Sequence, residues 1–349
     1  MLFGLITIFV VLICMTFFEE YIGKYKWLIF ISIGLILILY AGLRPIGFDK
    51  DSQNYEAFFM HPDSKEAAIA VEPSFIWICK IVNFLFGDVR FVLIIFAIMG
   101  VTIKMTAIKR GAFLVFPSLV IYFGNFYFLH EMTQIRAGIA TALFLLAITF
   151  QAEQKKLHTL MLIALACTFH YSSLALLPLL FINNKPLSRK LKIIFVALCP
   201  LCFVLYALNL DVLTTVPIPY ISDKIDAYKM ASEYGNVEKN SILNPFPIMR
   251  IAIFLFTIYY SKTIEKTIPY INIYIKIMAC SLIVYFAFSS ITIISTRIFE
   301  LYGVVEILAY PCIIYAIRPR FLGKIFVCII AIIETIFNSI VWDFFDFSI

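Results

Sequence analysis

The chain has 349 residues, of which 62% are hydrophobic and only 14% are charged, and its net charge is +6. This composition excludes a soluble globule, because a water-facing surface would need far more charge. The basic residues are spread over short loops, which is typical of membrane topology rather than of nucleic-acid binding. We therefore predict an all-α, polytopic membrane protein that forms a single transmembrane domain over residues 1–349.

Apolar segments long enough to cross a hydrocarbon core recur along the whole sequence. Short basic clusters lie between them, and the positive-inside rule places each cluster on the cytoplasmic side. About ten full transmembrane helices satisfy this condition, and both termini then face outward. The predicted crossings are 2–18, 27–43, 91–108, 113–129, 131–150, 193–209, 248–260, 275–294, 298–317 and 325–342.

Two further apolar segments are too short for a simple crossing. Residues 74–86 suit a re-entrant or interfacial helix. Residues 160–182 lie between two basic clusters that must share a side, so we expect the chain to turn near His170 and to form two half-length helices. Irregular backbone at that depth needs protein or a water-filled cavity around it. A single tilted span is the alternative, and it would invert everything that follows.

Two outward loops, at about 44–73 and 210–247, are long enough to carry a site. Both contain tyrosines and carboxylates, which offer a sugar an apolar ring face and directional hydrogen bonds. The predicted sugar-binding residues are Asp51 and Tyr55 in the first loop, with Gln134 and Glu300 at the ends of spans. A plain solvated loop is the alternative for either segment.

Four arginines lie at or near the outer ends of spans, where positive-inside sorting would not place them. They are Arg44, Arg136, Arg250 and Arg297. Ionisable groups at membrane depth are costly and are kept mainly where they meet a partner or a charged substrate. Guanidinium groups bind phosphate bidentately and keep their charge, so this set favours a diphosphate on a lipid carrier. The alternative is internal ion pairing, of Arg136 with Glu131 and of Arg297 with Glu300.

Two side chains are candidates for a catalytic base. An imidazole can accept a hydroxyl proton, which makes His170 the first candidate. Asp49, a carboxylate close to Arg44 in the sequence, is the second candidate. The alternative for His170 is a histidine that only satisfies helix packing.

Motifs of soluble enzymes are absent from the sequence. It contains no Walker loop, no dinucleotide glycine fingerprint and no histidine or cysteine pair in a metal-binding context. We therefore expect no cofactor and no metal. A nucleotide-sugar donor is also disfavoured, because the large polar loops face away from the cytoplasm, whereas a lipid-linked donor meets no such obstacle.

Several short motifs, taken in order, resemble a known family. They are Gly47-Phe48-Asp49 followed by Tyr55, Glu72-Pro73 with the short helix after it, Gln134-Ile135-Arg136-Ala137-Gly138-Ile139-Ala140, Phe169-His170-Tyr171-Ser172-Ser173-Leu174 and Ser295-Thr296-Arg297. Together they are similar to the EpsG-like branch of the Wzy polysaccharide polymerases. The likeness covers most of the chain, and the order and membrane placement of the motifs carry more weight than any one of them.

This resemblance implies a metal-independent, inverting glycosyltransferase with a GT-C-like helical body, in the bacterial cytoplasmic membrane with its active site facing the periplasm or exterior. It would transfer a growing glycan from undecaprenyl diphosphate to the terminal sugar of a new lipid-linked repeat unit, extending O-antigen, capsule or exopolysaccharide. The implied partners are this donor and acceptor, membrane lipid and a chain-length regulator, with no nucleic acid.

Residue roles follow from the same resemblance. Arg136 and Arg297 would hold the diphosphate, with Arg44 and Arg250 assisting. Fixed cations there would stabilise the negative charge that builds on the leaving diphosphate. His170, or failing that Asp49, would take the proton of the acceptor hydroxyl.

Two other functions remain open at this point. A flippase of lipid-linked oligosaccharide would also need cations for a diphosphate, but it should carry charge accessible from both faces. Lys104 and Lys276 are the only basic residues near the inner half of the predicted spans, which argues against it. A membrane O-acyltransferase that decorates the same glycan would instead use His170 as the base for acyl transfer.

Overall fold

The structure, a computed structural model, describes residues 2–207, 245–288 and 292–342. These residues form helices, turns and loops and contain no β-strand, which confirms the predicted all-α fold. They divide into two compact units, one formed by Met1–Phe181 with Glu306–Ile349 and the other by Ile182–Val305. The single transmembrane domain over residues 1–349 stays a prediction.

The helices of the first unit follow the predicted spans along the chain. They are α1 (Leu2–Phe18), α2 (Lys26–Gly42), α3 (Ser52–Met60), α4 (Lys65–Ala70), α5 (Pro73–Leu85), α6 (Arg90–Gly111), α7 (Val115–Ile121), a π-helix (Tyr122–Thr133), α8 (Ile135–Ala152), α9 (Lys156–Phe169) and a 3₁₀ helix (Tyr171–Phe181). After the second unit come α14 (Glu306–Ala309), a 3₁₀ helix (Tyr310–Tyr315) and α15 (Arg320–Trp342). Helices satisfy their own backbone hydrogen bonds, as a lipid environment requires.

The second unit contains α10 (Arg189–Ala207), α11 (Pro245–Glu265), α12 (Ile271–Ala287) and α13 (Thr292–Gly303). Across the described residues, five helical segments are long and apolar enough to cross a membrane: Gly23–Gly42, Arg90–Gly111, Ile135–Ala152, Ser295–Tyr315 and Arg320–Ser339. The chain is thus an all-α membrane protein. The count of about ten crossings and the GT-C-like body stay predictions.

Residues 156–181 form the expected hairpin of two half-length helices. Helix α9 and the 3₁₀ helix after it are each about 21–22 Å long, short of the hydrocarbon core of roughly 30 Å. His170 has an extended backbone conformation between them, with φ −156° and ψ 111°. Gln151 Nε2, at the end of α8 that precedes the hairpin, donates to the carbonyl of Leu180 at 3.2 Å. The chain therefore returns to the level at which α9 begins, and His170 lies at the opposite tip.

The first predicted outward loop is folded into α3 and α4 and is fixed by a buried ion pair. Arg44 Nε donates to Asp49 Oδ2 at 2.8 Å, and its Nη1 donates to the carbonyl of Ala41 at 2.6 Å. Asp49 Oδ1 accepts from the backbone N–H groups of Asp51 and Ser52, at 3.1 and 2.9 Å, where α3 begins. Most of the second predicted loop, 210–247, lies outside the described residues, and 245–247 already belong to α11.

A second buried ion pair joins α6 to the π-helix that leads into α8. Lys104 Nζ donates to Glu131 Oε1 at 2.5 Å and to the carbonyl of Gly138 at 2.8 Å, and the Lys104 side chain is fully buried. Gly100 makes room for this carboxylate, since a Cβ there would lie 2.1 Å from Glu131 Oε2. The pair of Glu131 with Arg136, which the sequence offered as an alternative, is therefore not formed, because the π-helix directs Glu131 toward α6.

We expect Lys104→Met to lower the stability of the protein markedly, because it leaves the Glu131 carboxylate buried without its cation. Breaking a buried pair in this way costs about 3–5 kcal/mol, whereas removing both charges is close to neutral. Thermal unfolding in detergent should show a large loss for Lys104→Met and recovery in Lys104→Met with Glu131→Gln. Lys80→Met, which opens the exposed pair with Asp63, is the matched control and should change little. Equal losses in the single and double Lys104 variants would contradict this account.

Candidate functional site

The carboxylate of Glu72 is the centre of a polar cluster that contains two of the predicted site residues. Glu72 is the residue before α5, and its backbone is extended, with φ −72° and ψ 152°. Proline at the next position favours this conformation and is well suited to the first turn of a helix. The residue is buried, with 5% of its surface exposed, so its charge requires partners inside the protein.

Arg136 is the first partner of Glu72. It lies in the first turn of α8, and its Nη1 forms a short ion pair with Glu72 Oε2 and also donates to the carbonyl of Ala70 at 3.3 Å. Its Nε is buried without a hydrogen-bond partner. One fifth of the side chain remains exposed. The guanidinium is thus held by Glu72 and the carbonyl of Ala70, it interacts with the hydroxyl of Tyr55, and part of the side chain stays exposed.

His170 is the second partner, and it reaches Glu72 from the tip of the α9 hairpin. His170 Nδ1 lies 3.1 Å from Glu72 Oε1, and the backbone N–H of Tyr171 donates to the same oxygen at 3.3 Å. The hydroxyl of Ser74 donates to the carbonyl of Thr168 at 2.5 Å, which ties the hairpin tip to the start of α5. When Nδ1 carries the proton toward Glu72, Nε2 carries the lone pair and can accept a proton.

The environment of Glu72 favours its charged form. Burial alone would raise the pKa of this carboxyl, but the hydrogen bond from His170 and the positive charge of Arg136 outweigh burial and lower the pKa below its ordinary value. Glu72 is therefore a carboxylate that binds a guanidinium and an imidazole at the same time. Such a group can orient both partners and stabilise a proton on the imidazole.

Three predicted sugar-binding residues also belong to the first unit. Tyr55 is buried, its ring centroid is 5.4 Å from that of Phe75, and its hydroxyl donates to the carbonyl of Thr133 at 3.1 Å. This placement favours packing over the predicted stacking on a sugar. Gln134 is half-buried at the junction between the π-helix and α8. Asp51 is the residue before α3.

In the second unit the predicted residues fall on α11 and α13. Arg250 is buried, with its guanidinium 4.1 Å from the ring centroid of Phe299. Gly303 gives it space, because a Cβ there would lie 3.0 Å from Arg250 Nη1. Arg297 is exposed and Glu300 is half-buried, one turn apart on α13. The structure therefore brings Arg136 and His170 together around Glu72 in one unit, and it places Arg250 beside α13 in the other.

Sequence reasoning did not assign a role to Glu72. The signal for it was present, since Glu72-Pro73 was among the motifs of the resemblance and an acidic residue before a proline marks the start of a helix. Its two partners are 64 and 98 positions away along the chain, so no local spacing could reveal them. Among the described residues, no group of three or more His, Cys, Asp or Glu has the arrangement of a metal site.

Comparison with known proteins gives one finding about the family. A sequence model of the EpsG family matches residues 26–346, which is nearly the whole chain. No curated protein and no solved structure gives a significant match. The matched region contains Glu72, Arg136 and His170, as well as the three other predicted arginines.

We expect Glu72→Gln to change how stability depends on pH. Because the pKa of Glu72 is lower in the folded protein than its ordinary value of 4.5, the folded state binds fewer protons than the unfolded state between these two values. The stabilising contribution is therefore fully present above pH 4.5 and is lost as the pH falls through the folded-state pKa.

This prediction can be checked by thermal unfolding between neutral and acidic pH. The difference in Tm between the wild type and Glu72→Gln should shrink on acidification. Glu66→Gln, an exposed glutamate on α4, is the matched control and should show no such convergence. A Tm difference that stays constant down to the lowest pH would contradict the assigned charge state of Glu72.

Proposed function

The chain belongs to the EpsG family, whose members are Wzy-type polymerases, and from this premise we propose the following reaction. The protein polymerises undecaprenyl-diphosphate-linked oligosaccharide repeat units into O-antigen, capsule or exopolysaccharide on the outer face of the cytoplasmic membrane. It acts as an inverting glycosyltransferase that uses no metal. The observation that carries the proposal is the Glu72 cluster, where a guanidinium and an imidazole are held side by side by one carboxylate.

Arg136 binds the diphosphate of the donor in this proposal. Its Nη1 is bound to Glu72, but one fifth of the side chain is exposed, so a diphosphate can approach the guanidinium from the open side. Negative charge builds on the diphosphate as the anomeric bond breaks. A cation that is already oriented stabilises that charge without reorganisation during the reaction. Arg297, which is exposed on α13, is the second arginine that we propose to bind diphosphate.

Arg44 and Arg250 receive supporting roles. Arg44 is buried against Asp49 and the carbonyl of Ala41, so it holds the loop that leads to α3 rather than touching the donor. Arg250 is buried over the ring of Phe299, which is on the same helix as Arg297, and this contact suits it to hold α13. In this proposal both arginines position segments that carry other site residues, and neither binds the diphosphate directly.

His170 is the proposed base. The acceptor hydroxyl oxygen attacks the anomeric carbon, the bond from that carbon to the diphosphate oxygen breaks, and the hydroxyl proton goes to His170 Nε2. Glu72 then faces an imidazolium and stabilises it. Asp49 suits this task less well, because one of its oxygens is bound to Arg44 and the other to two backbone N–H groups.

Removing either diphosphate-binding arginine should stop polymerisation without removing the protein. We expect Arg136→Ala and Arg297→Ala to remain in the membrane and to yield surface glycan one repeat long, as judged by gel analysis of the glycan. Arg136→Lys should restore polymerisation only partly, because lysine keeps the charge but lacks the planar fork. Arg90→Ala, an exposed arginine at the start of α6, is the control and should give normal chains. Normal chain lengths in both Arg136→Ala and Arg297→Ala would reject the proposal.

The two candidate bases can be separated by rate and stability. His170→Gln should slow single-turnover transfer by about 10²–10⁴-fold, the usual contribution of a general base, and should remove the acidic limb of the pH–rate profile. Asp49→Asn should chiefly lower the Tm, because it weakens the buried pair with Arg44. A His170→Gln enzyme with an unchanged rate and pH profile, alongside an inactive but fully stable Asp49→Asn enzyme, would move the base to Asp49.

A further inference from the structure

A groove between α2 and α6 in the first unit is separate from the Glu72 cluster. Its volume is about 230 Å³, and most of the side chains that line it are apolar. It is bounded by Trp27, Phe30, Ile31, Leu35, Met105 and Lys109, among others. Gly34 forms part of its floor, where a Cβ would lie 3.0 Å from the end of the Met105 side chain.

One end of the groove carries the side-chain ammonium of Lys109. Lys109 Nζ lies 5.0 Å from the ring centroid of Trp27 at this end. Two neighbouring cations are paired with carboxylates: Lys26, whose Nζ lies 5.5 Å from the centroid of the same ring, with Glu19 at 2.5 Å, and Arg110 with Glu153 at 2.9 Å. Within the described part of the chain, Lys109 forms no ion pair with a carboxylate and is exposed. The groove therefore offers a positive charge at its mouth.

The rest of the groove has a length and an apolar lining that suit one acyl chain. It extends along α2 over residues 27–38, which is roughly 16 Å and about half the thickness of a hydrocarbon core. The hydroxyl of Thr106 in its wall donates to the carbonyl of Thr102 at 2.8 Å, so this group needs no external partner. Trp27 lies beside the cation, as tryptophan does at the boundary between acyl chains and headgroups.

We propose that this groove binds one acyl chain of an anionic phospholipid, with its phosphate at Lys109. A net negative headgroup complements the ammonium of Lys109, whereas a zwitterionic headgroup brings its own positive charge. The basic clusters near Lys26 and Lys109 assign the lipid to the leaflet that the positive-inside rule makes cytoplasmic. The site is independent of the proposed polymerase reaction.

Quenching of Trp27 fluorescence tests this proposal. The sequence has three tryptophans, so Trp77→Phe and Trp342→Phe leave Trp27 as the sole reporter in the full-length protein. The protein is reconstituted in phosphatidylcholine vesicles that contain phosphatidylglycerol or phosphatidylcholine brominated near the carboxyl end of the acyl chain. Brominated phosphatidylglycerol should reach half-maximal quenching at about fivefold lower mole fraction, the effect expected for one lysine near an anionic headgroup.

Two variants and one control show whether Lys109 and the groove cause the preference for the anionic lipid. Lys109→Gln should abolish the difference between the lipids, while Lys24→Gln, an exposed lysine of the same basic side that does not line the groove, should retain it. Thr102→Phe should fill the groove and reduce quenching by the brominated phosphatidylglycerol. Equal quenching by both lipids in the parent, equal loss in both lysine variants, or unchanged quenching in Thr102→Phe would each overturn the proposal.

Discussion

The bond network around the Glu72 carboxylate is the interaction on which the candidate site depends. It joins three segments that are far apart in the sequence: the start of α5, the first turn of α8 and the tip of the α9 hairpin. A buried carboxylate cannot be left without partners, so its position fixes the guanidinium and the imidazole relative to each other. The network that stabilises the fold here therefore also sets the relative positions of the two groups that, in the proposed reaction, bind the donor diphosphate and the acceptor hydroxyl.

Much of the architecture could be predicted from the sequence, because in a membrane it is governed by length, apolar character and the side on which basic clusters lie. The hairpin at 156–181 is the clearest case, since two basic clusters that share a side favour a chain that turns back over a single tilted span. The candidate base His170 followed from the same argument. These inferences needed only local composition and one global rule.

Partnerships between side chains could not be predicted in the same way. Glu131 is the nearest carboxylate before Arg136 in the sequence, yet it pairs with Lys104, while Arg136 pairs with Glu72, 64 positions away. Helical geometry decides this outcome, and a π-helix does not follow the spacing that sequence arguments assume.

The Lys104 pair also bears on the flippase alternative. Lys104 is paired with Glu131, and Lys276 Nζ donates to the carbonyls of Asn183 and Lys185. Both ammonium groups are therefore already engaged by the protein, so neither is well placed to bind a diphosphate during transport.

The π-helix at Tyr122–Thr133 has a consequence for how this family can change over evolution. Its wide turns end in a hydrogen bond from the N–H of Gln134 to the carbonyl of Leu129, at 2.7 Å, and α8 starts immediately afterwards. Insertion or deletion of one residue within the π-helix would rotate α8 about its axis and move Arg136 away from Glu72, even if every helix still formed. Exchange of a side chain there leaves the orientation of α8 unchanged, although a change at Glu131 would break the buried pair with Lys104. We therefore expect members of the family to conserve the length of this segment more strictly than its amino-acid composition.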